Sequence, residues 1–275
     1  MNFNEVNKLI KEVEESMKKI TSFNKNEELL VGVDLGTAYI VLVVLDQKKK
    51  PIACEMEFAQ VIRDGLVVDY MGALTIVKRL KEKLEKRLGV FLEKAAIAIP
   101  PHTEKANTKT HKYVVEGAGM EVVNILDEPT AANSVLQIDN GVIVDIGGGT
   151  TGLAIFKDKE VIYTADEPTG GTHLTLVLAG NYKITFEEAE KIKTDKKRQS
   201  EILPIVTPVI QKVSSIIYRH IKDYSVDHIY LVGGTSSLQG VEKIIEKEVH
   251  VPTEKPYNPF LVTPLGIAMN CYLRE

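Results

Sequence analysis

The stretch Gly141-Val142-Ile143-Val144-Asp145-Ile146-Gly147-Gly148-Gly149-Thr150 decides the fold. Three β-branched residues run into an aspartate, then three glycines and a hydroxyl, which reads as a buried strand ending in a tight turn. Leu153-Ala154-Ile155-Phe156 supplies a second strand, Lys157-Asp158-Lys159-Glu160 a charged turn, and Val161 to Thr164 a third strand. The same order stands earlier in the chain. Leu29-Leu30-Val31-Gly32-Val33 runs into Asp34-Leu35-Gly36-Thr37, and Tyr39 to Leu45 is apolar and rich in β-branched residues. Gln47-Lys48-Lys49-Lys50-Pro51 is a charged turn, and Ile52 to Phe58 resumes the extended pattern. The lysine run reads as a solvated hairpin end. Each copy is a β-meander.

Working outward, Gly72 to Leu88 carries Leu74, Val77, Leu80, Leu84 and Leu88 on one helical stripe. Ala95 to Ile99 is a short buried strand stopped by Pro100-Pro101, and Thr103 to Ala118 reads as a helix. Val122 to Leu126 is a strand that enters Asp127-Glu128-Pro129-Thr130-Ala131-Ala132, where the proline suits the first turn of a helix. His228-Ile229-Tyr230-Leu231-Val232 matches Ala95 to Ile99, each after a long helix. A repeat of about 110 residues is too long for a solenoid unit. It predicts two α/β lobes of one design, with a ligand cleft between them.

The expected organisation is an amino-terminal helix within 1–24, a first lobe over 25–133 and a second over 134–262, with a helix at 263–275 returning to the first. Phe3, Val6, Leu9, Ile10, Val13, Met17 and Ile20 recur at helical spacing over residues 3–21. That helix either lies on the body of the protein or docks a partner.

Composition narrows the function. The 275 residues carry a net charge of −4, a poor basis for sequence-independent nucleic-acid binding. Two cysteines, Cys54 and Cys271, make no disulfide framework and fit a reducing compartment. Apolar runs such as Val41 to Leu45 are too short to cross a bilayer, and no signal peptide is evident, so a cytoplasmic location is expected. The six histidines are dispersed and read as structural or surface residues, and no Cys–His pair suggests zinc.

Chemistry concentrates at Asp34 to Thr37, at Asp145 to Thr150 and at Leu231-Val232-Gly233-Gly234-Thr235. Glycine lets backbone N–H groups approach an anion, and successive N–H groups form a phosphate-binding concavity. Thr37, Thr150 and Thr151 can add hydroxyl donors. The aspartates cannot face phosphate directly, but they suit a hydrated Mg²⁺ between carboxylate and phosphate.

The set resembles the actin-like ATPase superfamily, which includes actin, DnaK-type chaperones, sugar kinases, FtsA and PilM, over about residues 28–275. The resemblance implies two duplicated RNase H-like lobes clasping ATP and Mg²⁺. Asp34 and Asp145 would hold the Mg²⁺ through water, and Glu128 would orient or deprotonate the attacking water. Gly36, Thr37, Gly147, Gly148, Gly149 and Thr150 would cradle phosphates. Gly233, Gly234 and Thr235 would line the adenosine, with Glu187, Glu188 and Lys191 as further nucleoside candidates. Compact length and an amino-terminal helix are similar to a small DnaK-like branch linked to ethanolamine utilization and bacterial microcompartments. That implies a chaperone-like switch with ATP and ADP as ligands and a protein of that system as partner.

Some positions depart from the chaperone pattern. Ala38 stands where the chaperones have a second threonine, and no lysine matches their phosphate contact, Lys78 and Lys105 being the possibilities. Two rival readings follow: a non-hydrolysing scaffold similar to PilM, using residues 3–21 to dock, and a small-molecule kinase using Asp64 or Asp69 as base.

Overall fold

The computed structural model describes residues 3–272. After helix α1 (Phe3–Ser16), strands β1 (Leu30–Leu35), β2 (Tyr39–Leu45) and β3 (Pro51–Phe58) form the first meander. A small hairpin, β4 (Ile62–Arg63) and β5 (Leu66–Val67), leads to α2 (Tyr70–Leu88). Then come β6 (Lys94–Ile99), α3 (Lys105–Gly117), β7 (Glu121–Asp127) and α4 (Glu128–Leu136). The second meander is β8 (Gly141–Ile146), β9 (Thr151–Lys157) and β10 (Glu160–Glu167). It is followed by α5 (Gly171–Tyr182), α6 (Phe186–Thr194), α7 (Gln199–Ile221), β11 (Ile229–Val232), α8 (Val241–Val249), β12 (Thr253–Glu254) and α9 (Val262–Met269).

The two five-stranded sheets have one topology: β3-β2-β1-β6-β7 and β10-β9-β8-β11-β12. Central β1 runs antiparallel to β2 and parallel to β6; central β8 runs antiparallel to β9 and parallel to β11. Both faces of each sheet are covered, so the central strands read as continuous apolar runs. Alternation still sorts their side chains. Val31, Val33, Leu42 and Val44 face an outer core under α2 and α3, whereas Leu30, Val41, Val43 and Leu45 face inward. Val142, Val144, Leu153 and Ile155 face a second outer core, whereas Ile143, Ala154 and Phe156 face inward. The inward sets of both sheets share one middle core with α4 and α9.

Two glycines permit that middle layer. A Cβ on Gly32 of β1 would stand 2.8 Å from the Pro264 carbonyl oxygen and overlap the Ala268 backbone, so α9 lies flush on the first sheet. A Cβ on Gly266 would overlap the Ala131 carbonyl, so α9 also crosses α4 at backbone contact. The helix expected over 263–275 spans Val262–Met269, and residues 273–275 lie outside the described residues.

The helix expected over 3–21 stops at Ser16. The Ser16 hydroxyl donates to the Val13 carbonyl at 2.7 Å, and Arg87 donates to the Ser16 carbonyl at 2.8 Å, which ends the ladder. Val6, Ile10 and Val13 are buried in the middle core. The Tyr257 N–H donates to Asn7 at 2.7 Å, which ties α1 to the segment after β12. The docking reading of this helix is therefore corrected, because its apolar face is already covered by the chain's own core. Helix α7 is long and apolar enough by composition to cross a membrane. Here its stripe of Ile202, Val206, Ile210, Val213 and Ile217 is buried in the outer core of the second sheet.

Candidate functional site

The duplicated topology brings the two glycine turns together. A Cβ on Gly148 would stand 3.2 Å from Thr37 Cβ and 3.3 Å from Ala38 Cβ, and one on Gly149 would stand 2.8 Å from the Thr37 hydroxyl. Gly149 also abuts the β4–β5 turn, where a Cβ would lie 2.9 Å from the Asp64 nitrogen. Turns on separate lobes thus touch directly, and a triphosphate could enter between them only if they part.

The second turn is braced from behind. Its carbonyls are taken up: Gly171 N–H donates to Gly147 at 2.9 Å, Thr172 N–H to Gly148 at 2.7 Å, and the Thr235 hydroxyl to Gly147 at 2.7 Å. Among the described residues, no acceptor takes the N–H of Gly148, Gly149 or Thr150, nor that of Gly36, Thr37 or Ala38. Two turns whose N–H groups have no acceptor therefore lie in contact, a supply of donors that suits an anion. Thr151 adds none, because its hydroxyl donates to the Thr169 carbonyl at 2.6 Å.

Carboxylates gather below the turns. Asp34 sits at the end of β1, Asp145 near the end of β8, and Glu128 opens α4, where Asp127 caps the helix by accepting from Thr130 N–H at 2.9 Å. Burial, then the Asp145 charge, pushes Asp34 up to about 7. Burial pushes Asp145 to about 6 against a hydrogen bond donated by Thr263 at 2.6 Å. Glu128 is raised well above the usual carboxylate range by burial and by Asp145, Asp34 and Asp166. Asp166 of β10, absent from the sequence-based set, is raised to about 6 by burial, opposed by the neighbouring Thr150 hydroxyl. Such a concentration of buried acid calls for a cation. Among the described residues, no three Asp, Glu, His or Cys side chains stand close enough to ligate one directly, so an ion here would be held through its waters. Free N–H donors above and raised carboxylates below fit a hydrated Mg²⁺ with phosphate.

The nucleoside candidates divide. Gly233, at φ +87°, is needed by Asp145, whose carboxylate a Cβ there would overlap. Gly234 is exposed at the cleft, with Phe260 3.3 Å from its Cβ position. Thr235 is spent on Gly147. Glu187, Glu188 and Lys191 lie on the exposed face of α6, and Glu188 closes the helix's capping box with Thr185. The inward face carries Glu190 and Lys193 instead, paired at 2.7 Å. Lys193 donates to Thr175 at 2.9 Å and to the Gly171 carbonyl at 3.3 Å, beside the second turn. The spacing of the acidic and basic residues on α6 was readable; which stripe faced inward was not.

The two bases of the kinase reading divide. Asp69 caps α2, accepting from Gly72 N–H at 2.9 Å, and Asp64 occupies an exposed turn at φ +48°. Lys78 and Lys105 are exposed on α2 and at the start of α3.

Comparison with known proteins agrees with this architecture. Residues 110–268 match the family model described as type IV pilus assembly protein PilM. The ethanolamine utilization protein EutJ of Salmonella typhimurium is 43% identical over 245 residues, covering 87% of this chain and 85% of that protein. The crystal structure of EutJ from Carboxydothermus hydrogenoformans superposes with a TM-score of 0.92 at 46% identity, covering 98% of this chain and 99% of that one. Spiroplasma citri MreB5 bound to ADP shares the fold, at a TM-score of 0.70 and 16% identity over 88% of this chain and 95% of that one. With the paired turns and the duplicated sheets, these matches show that the chain belongs to the family of ethanolamine utilization protein EutJ, on an actin-like ATPase fold.

Proposed function

We propose that the chain binds ATP with Mg²⁺ between its lobes, hydrolyses it slowly, and uses the movement as a chaperone-like switch in ethanolamine utilization. Its partner would be an enzyme or microcompartment component of that system, in the cytoplasm. The observation that carries the reading is the meeting of two free N–H clusters above a set of buried carboxylates. When bound, Mg²⁺ neutralises phosphate charge. Asp34 and Asp145 would hold its water shell. Gly36, Thr37 and Gly147 to Thr150 would position the phosphates, Glu128 would take a proton from the attacking water, and Gly234 would border the nucleoside. Because the turns touch in the closed form, binding must part them, which makes the lobe angle the output.

Thermal denaturation tests the reading: Mg-ATP or Mg-ADP is expected to raise the melting temperature, and no shift at millimolar nucleotide would sink it. The second reading is a scaffold that binds ATP without hydrolysis. The match to PilM and the methyl of Ala38 against Gly148 favour it. A phosphate-release assay separates the two, since turnover abolished by Glu128→Ala excludes the scaffold.

A further inference from the structure

The duplicated sheets treat their outer edges differently. Strands β3 and β10 hold the same edge place in the two sheets. Each carries a bulge at the same point of its pairing. Val44 and Leu45 face Ala53 and Pro51, leaving Ile52 over, and Ile155 and Phe156 face Tyr163 and Val161, leaving Ile162 over. In the first repeat the outward carbonyls at this point are taken up: the Thr21 N–H donates to Ile52 at 3.0 Å, and Arg87 donates to Cys54 at 3.3 Å. Thr21 belongs to a stretch with no helix of its own that packs Ile20 and Phe23 against the outer core, and Ile52 is fully buried. In the second repeat the Thr164 carbonyl, the counterpart of Cys54, accepts from the His102 ring at 2.9 Å. Ile162 has no such cover. Among the described residues, no donor outside the sheet reaches its carbonyl, and its side chain is 46% exposed beside Val161 at 39%. An open groove of about 530 Å³ runs along Val161 to Asp166 and is walled by His102. A sheet edge of this kind is a template for another chain.

We infer that the Ile162 edge of β10 docks an extended segment of a partner protein, as the Thr21 stretch covers Ile52 in the first repeat. Backbone pairing along a free edge gives such a segment its affinity, and the side chains beside the edge give it specificity. The segment presents an N–H to the Ile162 carbonyl, apolar side chains over Ile162 and Val161, and a basic residue toward Glu160. A second copy of β10 fits poorly. Two-fold pairing about Tyr163 and Thr164 would set Glu160 of each copy against Glu167 of the other, like charge on like charge. The Thr21 stretch carries the opposite charge, with Lys18, Lys19 and Lys25 flanking Ile20 and Phe23.

The probe is therefore a synthetic peptide of residues 18–25, the stretch that fills this place in the first repeat. It is titrated to millimolar concentration into isotope-labelled full-length protein without nucleotide, so the outcome is separate from nucleotide binding. Amide shifts in the NMR spectrum centred on Ile162 and Thr164 are expected. Ile162→Asp in the protein, which should leave the melting temperature unchanged because the side chain is exposed, should weaken binding about tenfold or more. A peptide carrying Thr21→Pro, which lacks the donor N–H, should lose about as much. Shifts centred on Ile52, no shifts at all, or full binding by either variant would overturn the inference. Concentration-dependent dimerisation in sedimentation that Ile162→Asp abolishes would overturn it too, because the occupant would then be a second copy.

Discussion

Charge burial dominates the chemistry at the level of single residues. Asp34 holds its proton up to about 7, and Asp145 and Asp166 up to about 6, while an unfolded aspartate releases it near 3.8. Between pH 4 and 7, the folded ligand-free protein therefore binds more protons than the unfolded chain, and its stability falls as pH rises. Ligand-free protein should melt at a higher temperature at pH 5 than at pH 7.5, with Mg-ATP narrowing the gap; a melting temperature that climbs over that range would contradict the cluster. Asp34→Asn should stabilise the ligand-free protein at pH 7.5 by about 1–3 kcal/mol, by removing a charge that burial disfavours, and should abolish the Mg-ATP shift in the same scan. Gly233→Ala combines a left-handed backbone at φ +87° with a Cβ overlapping Asp145. It should cost about 2–4 kcal/mol in urea denaturation. Asp34 and Asp145 were readable in sequence because each sits near a strand end in the repeated pattern, and Glu128 because it stands in the motif that connects the two repeats. Asp166 was not, because it lies in an ordinary edge strand and meets the others only through the sheet order.

Among the elements, the amino-terminal helix shows how an amphipathic stripe can mislead. Periodicity reveals an apolar face but not what covers it. In the structure, Ile10 is fully buried in the middle core, and Asn7 binds the segment after β12. Ile10→Ala should therefore destabilise the protein by about 3 kcal/mol in urea denaturation, as a core truncation does. A change under 0.5 kcal/mol would restore the docking reading. Helix α6 shows the converse: its register turns Glu190 and Lys193 inward and leaves Glu187, Glu188 and Lys191 exposed. Two stripes of similar composition differ by a few residues, and packing alone selects between them.

For the molecule as a whole, the shared middle core sets the behaviour. Residues of both sheets, α1, α4 and α9 pack into one apolar layer, so neither lobe buries its inner face alone. Calorimetry should show a single unfolding transition, and two resolved transitions would mean that the lobes fold separately. The sequence by itself determined the duplication, the strand order within each meander, and the acidic glycine turns, because these are local patterns with a fixed period. Tertiary structure alone decided that the turns touch across the lobes, that α9 lies flush on Gly32, and that the Asp166 charge adds to those raising Glu128. Those facts depend on which faces meet after the chain has closed on itself, and no local pattern records a contact between distant segments.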